Sequence, residues 1–262
     1  PFEKDKTKKD QTVETPNHRM CWIFDLDGTL LDDITPLTDF FFTTIPKHYG
    51  KDEVSKADKE IMMEKTMEFI SGFKASKWNL FKQFNWYGKK LGLSFLERVD
   101  MMKYTKRNIN KVLRKAKFFK GTHEAIRKLK EDFNCVVAVN TSSSDEELTA
   151  KFEGREEQLD AFQPHIVTRD KVAKLKPDPE SIELISTATQ VPKERCVMVG
   201  DMTVDVACAK NAGSCAVVVL GGFLNRKWAK KIVPGPDFVF ENIAEAVDNY
   251  EKIEKFLNSK GM

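Results

Sequence analysis

Two textures of apolar and polar residues divide this chain. From Phe118 onward, short runs rich in β-branched residues alternate with segments whose apolar residues recur at helical spacing. "NCVVAVNT", "HIVTR", "RCVMVGD", "SCAVVVL" and "DFVFEN" predict strands, while "THEAIRKLKED", "DPESIELISTAT" and "VDVACAKNAG" predict the helices between them. Near-continuous apolar strands separated by amphipathic helices are the pattern of a parallel sheet covered on both faces. With "RMCWIFD" as first strand, the fold class is α/β, a doubly wound parallel sheet.

That pattern is interrupted directly after the first strand. Between Thr35 and Lys117, segments such as "EIMMEKTMEFISGF" and "NINKVLRKAKFF" repeat their apolar residues at helical spacing, which predicts an all-helical insertion of three to five helices. The expected organisation is a disordered tail over residues 1–19, an α/β core over 20–34 and 118–262, and the helical insertion over 35–117. The tail offers almost nothing to bury and mixes both charge signs.

Composition supports a globular chain, with 41% hydrophobic and 32% charged residues in 262. No apolar run approaches the roughly 18 residues of a membrane span, so a soluble protein with no membrane partner is expected. The five cysteines show no CxxC pair and three open apolar runs, which predicts reduced core residues. With no apolar signal segment at the start, and acids in a tail that fits a transit peptide poorly, the expected location is the cytoplasm, an organelle being left open. Net charge is +3, but residues 35–117 hold 18 Lys and Arg against 9 Asp and Glu. Between Arg98 and Lys117 stand eight positive residues and one acid, fit either to steer an anion or to form the solvated face of a helix. Aromatics at helical spacing are read as the insertion's core, and without a nucleic-acid motif a nucleic-acid partner is disfavoured.

Ligands of open α/β sheets bind outside the carboxyl ends of the strands. The residues predicted there are Asp25 and Asp27 after strand one, Thr141 after "CVVAVN", and Asp201 after "RCVMVG", with Asp205 in the first turn of the next helix. Lys176 stands in "KLKPDPE", before a helix begun by Pro179. Carboxylates gathered in one cleft repel one another and call for a cation, and an oxygen donor set suits Mg²⁺. Residues two apart in extended chain face the same side, so Asp25 can attack a phosphoryl group while Asp27 manages protons. Lys176 stabilises the remaining charge. Thr141, with Ser142 beside it, is read from its place at the strand end as holding phosphate oxygens, although Thr141 could also cap the next helix, a duty for which the serines 142–144 compete. Gly28 permits a tight turn whose amides form an anion nest, and Asp205 also suits a helix N-terminus. His18, His48, His123 and His165 show no ligand spacing and are given no role.

The chain resembles the haloacid dehalogenase superfamily, specifically its phosphoglycolate phosphatase and β-phosphoglucomutase branch. The carriers are Asp25-Leu26-Asp27-Gly28-Thr29, the strand-ending Thr141 of "VVAVNTSS", Lys176 of "KLKPDPE" and "VGDMTVDVACAKNAG", followed by "VVVLGGF". The resemblance implies Mg²⁺ held by the side chains of Asp25 and Asp201 and the backbone carbonyl of Asp27, with Asp205 beside them. It implies Lys176 against nucleophile and phosphate, and a cap at 35–117 that closes over the substrate. Met202 departs from the small hydroxyl residue many relatives carry, and Lys174 lacks the proline that follows Lys176. The implied activity is hydrolysis of a small phosphorylated metabolite through an aspartyl-phosphate, by a monomer or homodimer. A phosphomutase is the alternative, with a nucleotide phosphatase or a catalytically silent binding protein behind it; dehalogenation is disfavoured by the presence of Asp27.

Overall fold

The structure is a computed structural model that describes residues 20–62, 77–221 and 226–260. The tail 1–19, most of "EIMMEKTMEFISGF" and the "GF" of "VVVLGGF" therefore lie outside the described residues. Among those described, the strands are β1 (Cys21–Phe24), β2 (Leu31–Asp32), β3 (Lys117–Phe118), β4 (Val136–Asn140), β5 (Ile166–Val167), β6 (Cys196–Gly200), β7 (Cys215–Val219) and β8 (Phe238–Phe240). Six of them form one parallel sheet in the order β5-β4-β1-β6-β7-β8. All five strands predicted beyond Phe118 are present, "HIVTR" pairing over only two residues.

The helices are α1 (Ile34–Asp39), α2 (Ile45–His48), α3 (Lys77–Lys90), α4 (Phe95–Leu113), α5 (Thr122–Glu131), α6 (Asp145–Phe152), α7 (Glu180–Thr189), α8 (Thr203–Ala212), α9 (Arg226–Ala229), α10 (Ile243–Asp248) and α11 (Tyr250–Lys260), with residues 56–62 also helical. No helix among the described residues is long and apolar enough to cross a membrane.

Strand alternation sorts the core into two layers. Trp22, Phe24, Val139 and Val199 face the layer under α5, α6, α10 and α11. Cys21, Ile23, Ala138 and Met198 face the layer under α7 and α8. All five cysteines are buried, as small hydrophobes in these layers would be. The sheet reverses direction at β1: the chain returns first to β4 and β5 on one side, then to β6, β7 and β8 on the other. Phe24 stands level with both Val139 and Val199, so the next residue of each strand meets at one edge.

Residues 34–48 and 77–113 form a helical unit with an apolar cluster of its own that includes Phe40, Phe42, Ile45, Tyr87, Met101 and Val112. Most of its described aromatics belong to this cluster, as their spacing predicts: Phe40, Phe42 and Tyr87 are buried and Phe41, Phe84, Trp86 and Tyr104 pack against them, whereas Phe95 is exposed. The helix between α1 and α2 widens to a π-type turn over Phe40–Thr44, and the Tyr87 hydroxyl donates to the Phe41 carbonyl within it. Ser94 and Glu97 cap α4 reciprocally.

One expectation fails at the return from this unit. The run "NINKVLRKAKFF" reads as continuous helix, but α4 stops at Leu113 and Lys117–Phe118 pairs antiparallel with Leu31–Asp32. Phe118 packs against Phe152 under the sheet, and a strand of two residues is too short for periodicity to reveal. Both crossings between sheet and helical unit thus run side by side as one ribbon.

Phe24 is fully buried, lies edge-on to Phe162 and aligns the strand end that carries Asp25. Phe24→Ala is expected to cost about 3–5 kcal/mol, measurable as a lower midpoint in denaturant unfolding.

Candidate active site

The sheet's reversal at β1 creates the site. Pairing continues one residue past β1, where the Asp25 N–H donates to the Val199 carbonyl at 2.9 Å. Its carboxylate, just beyond the strand, accepts from Lys176 Nζ at 2.5 Å. The same ammonium donates to Asp205 Oδ1 at 2.7 Å and to the Asn140 carbonyl at 3.1 Å. Lys176 therefore ties together the ends of β1 and β4 and the first turn of α8. Its side chain is only 4% exposed, whereas Lys174 is 73% exposed and pairs with Asp178. Of the two, the lysine followed by proline is the one brought against Asp25.

Asp205 serves the helix as well as the site, since its Oδ2 accepts the Met202 N–H at 3.1 Å at the start of α8. Asp201 follows β6 and is also buried, with the Thr29 hydroxyl donating to it at 3.4 Å. One carboxylate oxygen from each of Asp25, Asp201 and Asp205 lies within 4.8 Å of the others. Two glycines make this approach possible. A Cβ on Gly28 would stand 2.4 Å from Asp201 Oδ2, and one on Gly200 would stand 2.4 Å from the Cβ of Asp205. Gly28 also has φ +75°, which the turn after β1 requires.

Asp27 goes elsewhere. Same-side facing holds only for extended chain, and β1 ends at Phe24; residues 26–30 form a turn closed by Leu30 and Leu31 N–H groups on the Leu26 carbonyl. The two carboxylates consequently take different partners. Lys151 Nζ donates to Asp27 Oδ1 at 2.6 Å and Oδ2 at 2.5 Å, and Ser143 Oγ donates to Oδ2 at 3.1 Å.

Thr141 is buried one residue past β4, and its hydroxyl accepts the Ser143 N–H at 3.1 Å. The helix cap is Ser144, paired reciprocally with Glu147, so Thr141 is not needed for that duty. Ser142 is exposed at the same turn. Asp32 and Asp33 also divide their roles. Asp32 accepts from the N–H and hydroxyl of Thr35 at the start of α1. Asp33 keeps Oδ1 buried with no hydrogen-bond partner among the described residues.

Sequence reasoning missed Lys151, Ser143 and Asp33. A signal for Lys151 existed: Leu148 and Phe152 mark the buried stripe of α6, and position 151 lies three residues after the first of them. Nothing local reveals that Asp27 is its partner.

Burial pushes the Asp25 carboxyl up to about 7; Lys176 opposes this, and the charges on Asp205 and Asp27 add to it. Burial, followed by Asp25, Asp205 and Asp33, raises Asp201 well above the carboxylate range. Burial works against the Lys176 ammonium too, but Asp205 and Asp25 outweigh it and hold its pKa above the ordinary value. Burial and the Asp27 charge raise Asp33 to about 6. Three buried carboxylates beside one ammonium leave excess negative charge, and Asp201 takes a long contact from the Thr29 hydroxyl rather than an ammonium among the described residues. An oxygen donor set of this kind fits a hard divalent cation.

The sequence profile of the haloacid dehalogenase-like hydrolases matches residues 22–219. The chain belongs to that family. The match spans β1 to β7 and so includes every residue of the constellation above. Among curated relatives, the pyrophosphatase PpaX of Halalkalibacterium halodurans is 27% identical over 237 residues, covering 86% of this chain and 94% of that protein. The PpaX of Listeria welshimeri is 25% identical over 225 residues, covering 85% and 92%. A solved haloacid dehalogenase family hydrolase of Deinococcus radiodurans, with bound phosphate and sodium, superposes with a TM-score of 0.66 at 17% identity, covering 90% of this chain and 96% of that one. The chain is thus a haloacid dehalogenase-like hydrolase whose relatives include phosphatases.

The raised carboxyls set the sign of a pH effect. In the family member without a cation, folded Asp25 and Asp201 hold protons that the unfolded chain releases above about pH 4, so stability is lost as pH rises from there through about 7. In EDTA, the melting temperature is expected to fall between about pH 5 and pH 8, and Asp25→Asn should flatten that fall. A divalent cation held by these carboxylates would compete with the protons, so added Mg²⁺ is expected to raise the melting temperature more at the higher pH, as thermal unfolding would show.

Proposed function

We propose that this hydrolase is a Mg²⁺-dependent phosphatase of a small organic phosphate monoester, working through an aspartyl-phosphate on Asp25. The observation that carries the reading is the buried Asp25 carboxylate at the end of the central strand, held by Lys176 with the Asp201 and Asp205 carboxylates against it. Asp25 attacks phosphorus while the bond to the ester oxygen breaks. Asp27 gives its proton to the departing oxygen, then takes one from the water that attacks the phosphoryl-aspartate and frees phosphate. Asp25 is restored and each proton is accounted for.

The carboxylates of Asp25, Asp201 and Asp205 and the carbonyl of Asp27 would hold Mg²⁺, which when bound would supply positive charge against the phosphoryl oxygens. Lys176, held against Asp25, stabilises the same charge, and Thr141 and Ser142 bind phosphate oxygens beyond β4. General acid–base help contributes only about 10²- to 10⁴-fold, so fixed positive charge must do the larger share. We read residues 35–117 as a cap that closes over the cleft and excludes water before transfer. The expected partner is a small phosphorylated metabolite.

A Mg²⁺ panel of phosphoglycolate, hexose phosphates, nucleotides and pyrophosphate tests this, with free phosphate and sugar isomerisation both followed. Phosphate release from at least one ester is expected, lost in EDTA and restored by Mg²⁺. Asp25→Asn should lower kcat by at least about 10⁴-fold. Phosphate release by that variant at the wild-type rate contradicts the covalent route. Isomerisation without free phosphate contradicts hydrolysis and favours a phosphomutase.

A further inference from the structure

An acid that must release and recover a proton is held here by two side chains. Lys151 Nζ donates to both Asp27 oxygens, at 2.6 and 2.5 Å, and also contacts Ser143 Oγ at 2.8 Å. Its side chain is 13% exposed against 33% for Asp27, so the pair is shielded enough to be stronger than an ordinary surface pair. With both oxygens engaged by one ammonium, Lys151 fixes how Asp27 is oriented in the turn after β1.

The segment that carries Lys151 is itself anchored to the ribbon of the helical unit. Just past the end of α6, the Arg155 guanidinium donates from Nη2 and Nε to the Lys151 carbonyl at 2.6 and 3.1 Å. Its Nη1 donates to the Ala116 carbonyl at 2.5 Å, and Nη2 reaches the Arg114 carbonyl at 3.4 Å. Residues 114–116 lie between the end of α4 and β3, on the return crossing from the helical unit. Phe152 fills the space between, 5.9 Å from Phe118 of β3 and 5.3 Å from the Arg155 guanidinium. Asp33, on the outward crossing, feels the charges of both Asp27 and Lys151.

We propose that Lys151 is a positioning residue for Asp27, and that Arg155 couples it to the crossing at 114–116, so that movement of the helical unit sets how firmly Asp27 is held. The inference rests on Asp27 being the general acid and base. A ligand that draws the helical unit inward shifts the crossing, and through Arg155 the end of α6 and Lys151.

The test uses a difference between leaving groups. Departure of 4-nitrophenolate needs little help from an acid, whereas an alkoxide needs a proton. The kcat/KM of each substrate reports the steps up to that departure. The probes are 4-nitrophenyl phosphate and the alkyl phosphate that the wild type hydrolyses best. In Lys151→Met, kcat/KM for the alkyl ester is expected to fall about tenfold or more relative to that for the aryl ester, with Lys151→Arg recovering part of the loss. Arg155→Met, which touches no substrate, should shift the same ratio in the same direction by less. Asp27→Asn should shift it most, and adding Lys151→Met to Asp27→Asn should change it no further.

An equal fall for both esters in Lys151→Met, or a loss that merely follows the melting temperature, overturns the positioning role. An unchanged ratio in Arg155→Met overturns the coupling. An unchanged ratio in Asp27→Asn overturns the assignment of Asp27 itself, and so is distinguishable from either.

Discussion

Burying three carboxylates with one ammonium is the constraint on which this molecule is organised. Taking an ion out of water costs several kcal/mol, and a lone partner recovers this only with close geometry. Lys176 meets the requirement by reaching Asp25, Asp205 and the Asn140 carbonyl from one point. That point exists because β1 lies between β4 and β6, with its last residue level with the next-to-last residue of each. Gly28 and Gly200 lack the side chains that would otherwise collide with Asp201 and Asp205. Charge in excess of the one ammonium is what a bound divalent cation would offset.

The two aspartates of the first motif are separated by the same logic. Asp25 sits at a strand end against Lys176, whereas Asp27 sits in a turn against Lys151 and Ser143. Two similar groups placed in different charge environments can take different chemical tasks. The lysines come from different layers: Lys176 precedes α7 on one face of the sheet, and Lys151 ends α6 on the other. Each aspartate is therefore governed by a different part of the core.

The helical unit has its own apolar cluster and meets the sheet through two adjacent crossings paired as β2 and β3. A unit that keeps its own core can move with little cost to the other, because strain is confined to short connections. Arg155 binds one of those connections to the helix that carries Lys151. Movement of the unit and the setting of Asp27 thereby share a physical path.

Much of this was legible in the sequence because the information is local. Near-continuous apolar runs predict the strands that lead to Asp25, Thr141 and Asp201, and the order of the motifs predicts that these residues meet at one sheet edge. Pro177 distinguished Lys176 from Lys174, and the spacing of aromatics marked the insertion's core. What the sequence could not specify depends on contacts between distant segments. The salt bridge of Lys151 with Asp27 spans 124 positions, and no periodicity records it. The choice of Ser144 over Thr141 as helix cap depends on where β4 stops, and the turn that parts Asp27 from Asp25 depends on where β1 stops. The pairing of Lys117–Phe118 with Leu31–Asp32 overrode a helical pattern, because burial of Phe118 against Phe152 outweighs local preference. Sequence alone determined which chemical groups reach the sheet edge, whereas tertiary structure decided which cation each carboxylate faces, since pairing at 2.5 Å is set by packing and not by spacing along the chain.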